Sequence, residues 1–231
     1  MLLFCKRLGS APDKYGAFRS CSADLQCGNR CGTFFRFLSN SHLWTGNLYF
    51  FCRTARSATI LHTSRQPSGR IVWFTTGYLE YILPNFIPDH NVIEELTVSF
   101  EISSEAPKFC DIWPSDITFS LNGVILGTWT SPGDYGDRRG KYNPSWWFPF
   151  LNQYGLLKKL TITPEGTFLD AEKLSDVSTG QLALTDQSVM KLRFSVLPGA
   201  EHPGGCTLFG AGFGDYNQHI RITIGYRPEN I

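Results

Sequence analysis

The chain has 231 residues, 42% of them hydrophobic, 14% aromatic and 18% charged, with a formal net charge of +1. That length suffices for one β-rich domain with a sizeable core, or a domain plus a small appendage. A near-neutral balance names no polyanionic partner, and no run reaches the roughly 20 apolar residues of a membrane span.

The near-neutral total hides an asymmetry. Residues 1–70 carry two acids, Asp13 and Asp24, against ten Lys or Arg, leaving 18 of the 20 acids and 11 of the 21 bases to the rest. Five of the seven Cys (Cys5, Cys21, Cys27, Cys31 and Cys52) also fall in this first part. "MLLFC" followed by Lys6 and Arg7 is too short and wrongly ordered for a signal peptide, so a cytoplasmic location with reduced thiols is the expectation. The intervals between Cys21, Cys27 and Cys31, with His42 beyond, lack the paired C-x2-C knuckle of a zinc site, and no metal is assigned. The tract shows no capped helix pair; "TFFRFL" and "NLYFFC" read as short strands. Its composition suits an out-of-frame or misassigned start, so residues 1–69 are read as an atypical, poorly ordered segment and 70–231 as the domain proper.

From Arg70 onward the signals are those of an all-β chain. "RIVWFTTGYLEYILPN" holds two extended runs broken by Gly77 and ended by Pro84. "NVIEELTVSFEISSE" alternates, with Leu96, Val98, Phe100 and Ile102 on one face and Thr97, Ser99 and Glu101 on the other. "DITFSLNGVILGTWT" is a hairpin turning at Asn122-Gly123, where both central positions need φ > 0. "GLLKKLTIT", "TFLDAEKLS", "SVMKLRFSVL", "CTLFG" and "QHIRITIGYR" complete the strands. Short strands with turn punctuation about every ten residues predict an antiparallel β-sandwich, jelly-roll-like in its wiring.

One loop does not fit mere connection. Between Leu126 and Trp147 lie three Trp, two Tyr, two Asp, the adjacent Arg138 and Arg139, four Gly and two Pro. Trp129, Trp146 and Trp147 offer stacking faces, Asp134 and Asp137 acceptors, and the two Arg fork-shaped donors, with Asn152, Gln153 and Tyr154 following directly. Such a set suits the lining of a small-ligand pocket, and equally an aromatic plug over the sandwich whose Asp–Arg pairs pin its own backbone. His202 lies in a second Gly-rich stretch, "EHPGGCTLFGAGFGDYNQHI", whose glycines do not follow G-x-G-x-x-G and sit in no βαβ unit. No nucleophile elbow, H-E-x-x-H or isolated carboxylate pair stands out, so the domain is read as non-catalytic, with no cofactor.

The segments "GYLEYILPN", "SSEAP", "WPSDITFSLNGVILGTWTSPGDYGDRRG", "NPSWW", "NQYGLLK", "GTFLDAEKLSDV" and "LFGAGFGDYNQHI" resemble the C-terminal domain of bacterial ArsR-like transcriptional regulators over about residues 71–227. That resemblance implies a β-sandwich that senses or regulates, preceded in such proteins by a DNA-binding winged helix. Residues 1–70 do not match a winged helix, so DNA binding is not carried over, and "FPF" at 148–150 departs from the family's loop. The expectation is a non-catalytic sensor domain taking a small-molecule effector of saccharide type through Trp129, Asp134, Asp137, Arg138, Arg139, Trp146, Trp147, Asn152, Tyr154 and His202. The alternatives are a structural or homodimerising sandwich and, third, a carbohydrate-active enzyme domain.

Overall fold

A computed structural model describes residues 71–85, 90–182, 184 and 188–228, together with the backbone of three N-terminal strands at 19–25, 34–39 and 44–45. The strands in chain order are β1 Arg19–Leu25, β2 Phe34–Ser39, β3 Trp44–Thr45, β4 Ile71–Phe74, β5 Gly77–Pro84, β6 Asn91–Ser103 and β7 Ser115–Leu121. Then follow β8 Val124–Ser131, β9 Leu156–Thr163, β10 Gly166–Leu169, β11 Glu172–Ser175, β12 Val189–Val196, β13 Cys206–Phe209 and β14 Ile220–Pro228. One 3-10 turn, Thr179–Gln181, is the only helical element among the described residues.

The strands form an antiparallel β-sandwich. The smaller sheet runs β2-β5-β12-β7-β8 and the larger runs β11-β10-β9-β6-β13-β4-β3, with β14 also on β6 and β1 on β14. The chain passes repeatedly between layers: β4 is in the larger sheet, β5 in the smaller, β6 in the larger, β7 and β8 in the smaller. Long β6 uses one edge twice. Its first part pairs β14, from Asn91↔Pro228 to Ser99↔Arg221, and its end pairs β13, from Glu101↔Phe209 to Ser103↔Thr207. The Gly-rich stretch at 210–219 is therefore an excursion of the chain between two strands on the same edge of β6.

Period-two alternation places the core. Leu96, Val98, Phe100 and Ile102 of β6 are buried against Ile117, Phe119 and Leu121 of β7 and Leu192, Phe194 and Val196 of β12. Phe100, Phe119 and Phe194 meet at ring-centroid distances of 5.0 to 5.8 Å, two of the three pairs edge-to-face. Each buried phenyl contributes about 1.5–3 kcal/mol, with the edge-on geometry adding to that. The Asn122-Gly123 turn forms as the dipeptide requires, at φ 52° and 85°, with Leu121 facing Val124.

One detail departs from the sequence reading. "TFLDAEKLS" is a hairpin rather than one strand, because Asp170 and Ala171 both take positive φ (51° and 72°) between β10 and β11. The Asp170 carboxylate stabilises this tight turn by accepting the Lys159 N–H at 2.8 Å and the Lys158 ammonium at 2.7 Å. Within residues 1–69, β1 pairs β14, β2 pairs β5 along Phe34–Ser39 and β3 pairs β4. "TFFRFL" thus corresponds to β2, whereas "NLYFFC" and most of the Cys-rich tract lie outside the described residues.

Candidate functional site

The aromatic loop, residues 132–155, leaves β8 in the smaller sheet and returns to β9 in the larger one. It lies on the outer face of the larger sheet. Along β4 and β13, Val72, Phe74 and Leu208 enter the central core, whereas Ile71, Trp73 and Phe209 join Trp147, Leu151 and Phe213 in a second apolar cluster. Trp147 anchors that cluster, edge-on to Phe213 at 5.0 Å and to Trp73 at 6.0 Å, and its indole N–H donates to the Asn152 carbonyl at 2.8 Å. The outer face of β4 and β13 carries large apolar side chains because the loop covers it.

The charged tips singled out from the sequence are engaged within the fold. Arg138 forms a two-pronged pair with Asp215, Nη1 to Oδ1 at 3.0 Å and Nη2 to Oδ2 at 2.5 Å. Its guanidinium also lies 3.8 Å from the centroid of Tyr154, which stacks on Tyr135 at 5.3 Å. The Tyr154 hydroxyl donates to Asp137 at 2.5 Å; burial, with this hydrogen bond, pushes the phenol up to about 12. Arg139 donates to the carbonyls of Asn143, Pro144 and Trp147, closing the loop on itself. The Arg138 guanidinium holds Asp215 below the usual carboxylate range.

Three of the predicted residues are sealed inside. Trp147, Asn152 and Asp134 are buried, so they brace the loop from beneath instead of facing a guest at its surface. Asn152 donates to Glu105 at 3.1 Å and to Thr207 at 2.9 Å. Asp134 accepts the Ala106 N–H at 3.0 Å on Oδ2, while its Oδ1 and the neighbouring Ser131 hydroxyl have no hydrogen-bond partner among the described residues. Trp129 and His202 engage elsewhere. Trp129 on β8 lies under the Lys158 ammonium, 4.7 Å from the ring centroid. His202 meets Asp116, its backbone N–H donating at 3.0 Å and its ring at 3.3 Å. Burial pushes Asp116 up, but the Thr130 hydroxyl and these His202 contacts hold it below its ordinary value.

Of the ten residues, Trp146 alone combines large exposure with a fixed ring. It is 47% exposed, yet edge-on contacts to Trp147 and Phe213, both at 5.9 Å, hold it in place. Close by in sequence, Phe148 and Phe150 stack on each other at 5.2 Å while each stays about half exposed, and Tyr142 and Tyr216 are exposed too. The departure at "FPF" is thus a pair of aromatic faces presented to solvent.

The alternation of β6 conceals what lies under the loop. Glu101, on the face of β6 opposite Phe100 and Ile102, is 1% exposed, because the loop and the 210–219 excursion close over it. Its carboxylate accepts the backbone N–H groups of Gly155 (2.9 Å), Asp215 (2.8 Å) and Tyr216 (3.0 Å). Consecutive amides aimed at one acceptor form a nest; the acceptor in this Gly-rich nest is the protein's own Glu101 carboxyl. Glu105, two positions past Ser103, accepts the Thr207 hydroxyl at 2.7 Å beside the Asn152 amide. Burial pushes Glu101 to about 7 against its three amide donors, with the Asp215 charge adding. Burial likewise pushes Glu105 to about 8 and Asp134 to about 7, and the Asp134 charge raises Glu105 further. No ion pair reaches any of the three among the described residues. The signal that would have found them is the position of Glu101 and Glu105 flanking Ser103 and Ser104 at the end of a strand whose polar face is covered.

Among the described residues, no group of three or more His, Cys, Asp or Glu is arranged to hold a metal ion. No described helix is long and apolar enough to cross a membrane. A scan against protein-family models gives no match, and no curated protein matches the chain.

Proposed function

We propose that the chain is a non-catalytic β-sandwich module that acts by association, with the aromatic ledge of Trp146, Phe148 and Phe150 meeting the same surface of a second copy. One observation carries this reading. Arg138, Arg139, Asp137 and Tyr154 of the 132–155 loop are spent on Asp215, on one another and on the loop's own carbonyls, which leaves aromatic faces, with the Lys141 ammonium, as its outward chemistry. Half-exposed aromatic rings beside guanidinium groups that are already engaged match the anatomy of interface cores, where aromatics are enriched and charges depleted. Internal neutralisation of Arg138 by Asp215 also removes the like-charge repulsion that two identical faces would otherwise feel. The resemblance to ArsR-like regulators supports a regulatory setting for such a module.

Light scattering across a dilution series tests the proposal. The intact chain self-associates, and a Trp146→Ala, Phe148→Ser, Phe150→Ser variant is monomeric while its circular dichroism keeps the folded β signature. A wild-type chain that stays monomeric over the whole series overturns it.

A second reading rests on the Trp146 ring itself. An indole fixed from two sides and open on its remaining surface is a platform on which the flat face of a sugar stacks without ordering cost. A saccharide that raises the melting midpoint by mass action, and loses that effect in Trp146→Ala, favours the sensor reading over the association one.

A further inference from the structure

The acids beneath the loop do not belong to the ledge, and their placement has its own consequence. Each of the three holds a different point of the cover. Asp134 joins the start of the loop to the turn after β6 through the Ala106 N–H. Glu105 joins the end of the loop to β13 through Asn152 and Thr207. Glu101 holds both Gly155, where the loop re-enters β9, and the 210–219 excursion at Asp215 and Tyr216.

The partners of these acids are neutral: backbone amides, the Thr207 and Ser103 hydroxyls and a carboxamide. The charged or titratable groups that face them make matters worse. Asp111 faces Asp134, Asp134 faces Glu105, Asp215 faces Glu101, and the buried Cys206 thiol beside Glu105 is itself pushed up by burial and by that charge. The Arg138 guanidinium is committed to Asp215. A carboxylate in a dry layer with no cation is stable chiefly as the neutral acid. The neutral acid still accepts through its carbonyl oxygen, and an unpartnered oxygen such as Asp134 Oδ1 costs less in a neutral acid than in a carboxylate.

We infer that Glu101, Glu105 and Asp134 form a proton-binding latch: protonated, they hold the 132–155 loop closed on the larger sheet, and ionised together they release it. The loop then opens reversibly as pH rises through neutrality, exposing Trp147 and the apolar face of β4 and β13. Three buried acids are arranged so that the loop's attachment, and not the core between the sheets, carries the pH dependence. This inference does not depend on what the ledge binds.

The test uses the full chain. Carboxyl carbon shifts of Glu101, Glu105 and Asp134, followed by NMR, are expected to titrate near or above neutrality. Exchange of the Trp147 indole N–H, divided by that of a free indole at the same pH to remove base catalysis, should rise by at least about tenfold between pH 5 and 8, since one proton released over one pH unit already changes an equilibrium tenfold. An Asp134→Asn, Glu105→Gln variant should lose most of that rise. Should the variant fail to fold, the wild-type carboxyl titrations decide alone: midpoints at ordinary carboxylate values, about 4, overturn the latch. It is equally overturned by a flat exchange profile, or by calcium ion closing the loop at pH 8 in the wild type, which would make the cluster a cation site.

Discussion

Gly214 and Glu101 are fitted to each other across the sheet edge. At φ +71°, Gly214 places the Asp215 and Tyr216 amides on the Glu101 carboxylate, and a Cβ at Gly214 would fall far inside van der Waals contact with Oε1 and Oε2. Only glycine leaves room for the buried Glu101 carboxyl in the nest.

Gly214→Ala therefore strains the backbone and displaces the carboxylate from its amides. The expected cost is about 2–3 kcal/mol, the sum of left-handed strain and a broken buried hydrogen-bond set. Urea unfolding measures it, and a loss below about 0.5 kcal/mol, the scale of an ordinary surface change, contradicts the nest.

Trp147 and Trp146 are neighbours with opposite duties. Trp147→Ala removes the anchor of the outer apolar cluster and the donor to Asn152, and is expected to destabilise by about 3–5 kcal/mol. Trp146→Ala should cost no more than about 1 kcal/mol, in proportion to the surface it already shows to water. Thermal or urea unfolding of the two variants side by side checks the contrast.

Ala171 takes φ 72° in the turn between β10 and β11, where glycine would be unstrained. Ala171→Gly is expected to raise stability by up to about 1 kcal/mol, since relief of left-handed strain outweighs the entropy regained by the unfolded chain. A decrease in the unfolding midpoint would mean that the turn relaxes differently.

Stability should pass through a maximum in the weakly acidic range. Glu101, Glu105 and Asp134 are raised in the folded chain, so their contribution is complete below the unfolded values and is lost as pH rises towards 7 to 8. Asp215 is lowered by Arg138, so its contribution is present above its unfolded value and disappears as pH falls below about 4. Asp215→Asn should thus flatten the acid limb and, by removing a charge that raises Glu101, lessen without abolishing the slope between pH 5 and 8, as read from melting midpoints from about pH 3 to 8.

Much of the sandwich was readable from the chain because its cues are local. Alternation at Leu96, Val98, Phe100 and Ile102 gives a buried face in any register that pairs it, and Asn122-Gly123 selects a two-residue turn from its own torsions. The hairpin at Asp170 and Ala171 was not readable, since alanine seldom adopts positive φ and the turn is held by Lys158 and Lys159 from another strand. The loop was legible as unusual and its residues as a group, but their directions were not: Arg138 finds Asp215 at a separation of 77 residues.

The sequence by itself determined an all-β chain of two-faced strands, because side-chain period and turn torsions act between near neighbours. Tertiary structure alone decided which polar face would be covered. The loop folds back over the outer surface of the larger sheet, and burial there turns Glu101, Glu105 and Asp134 from solvated charges into enclosed acids. Desolvation depends on what distant residues place overhead, and no local pattern along β6 records it.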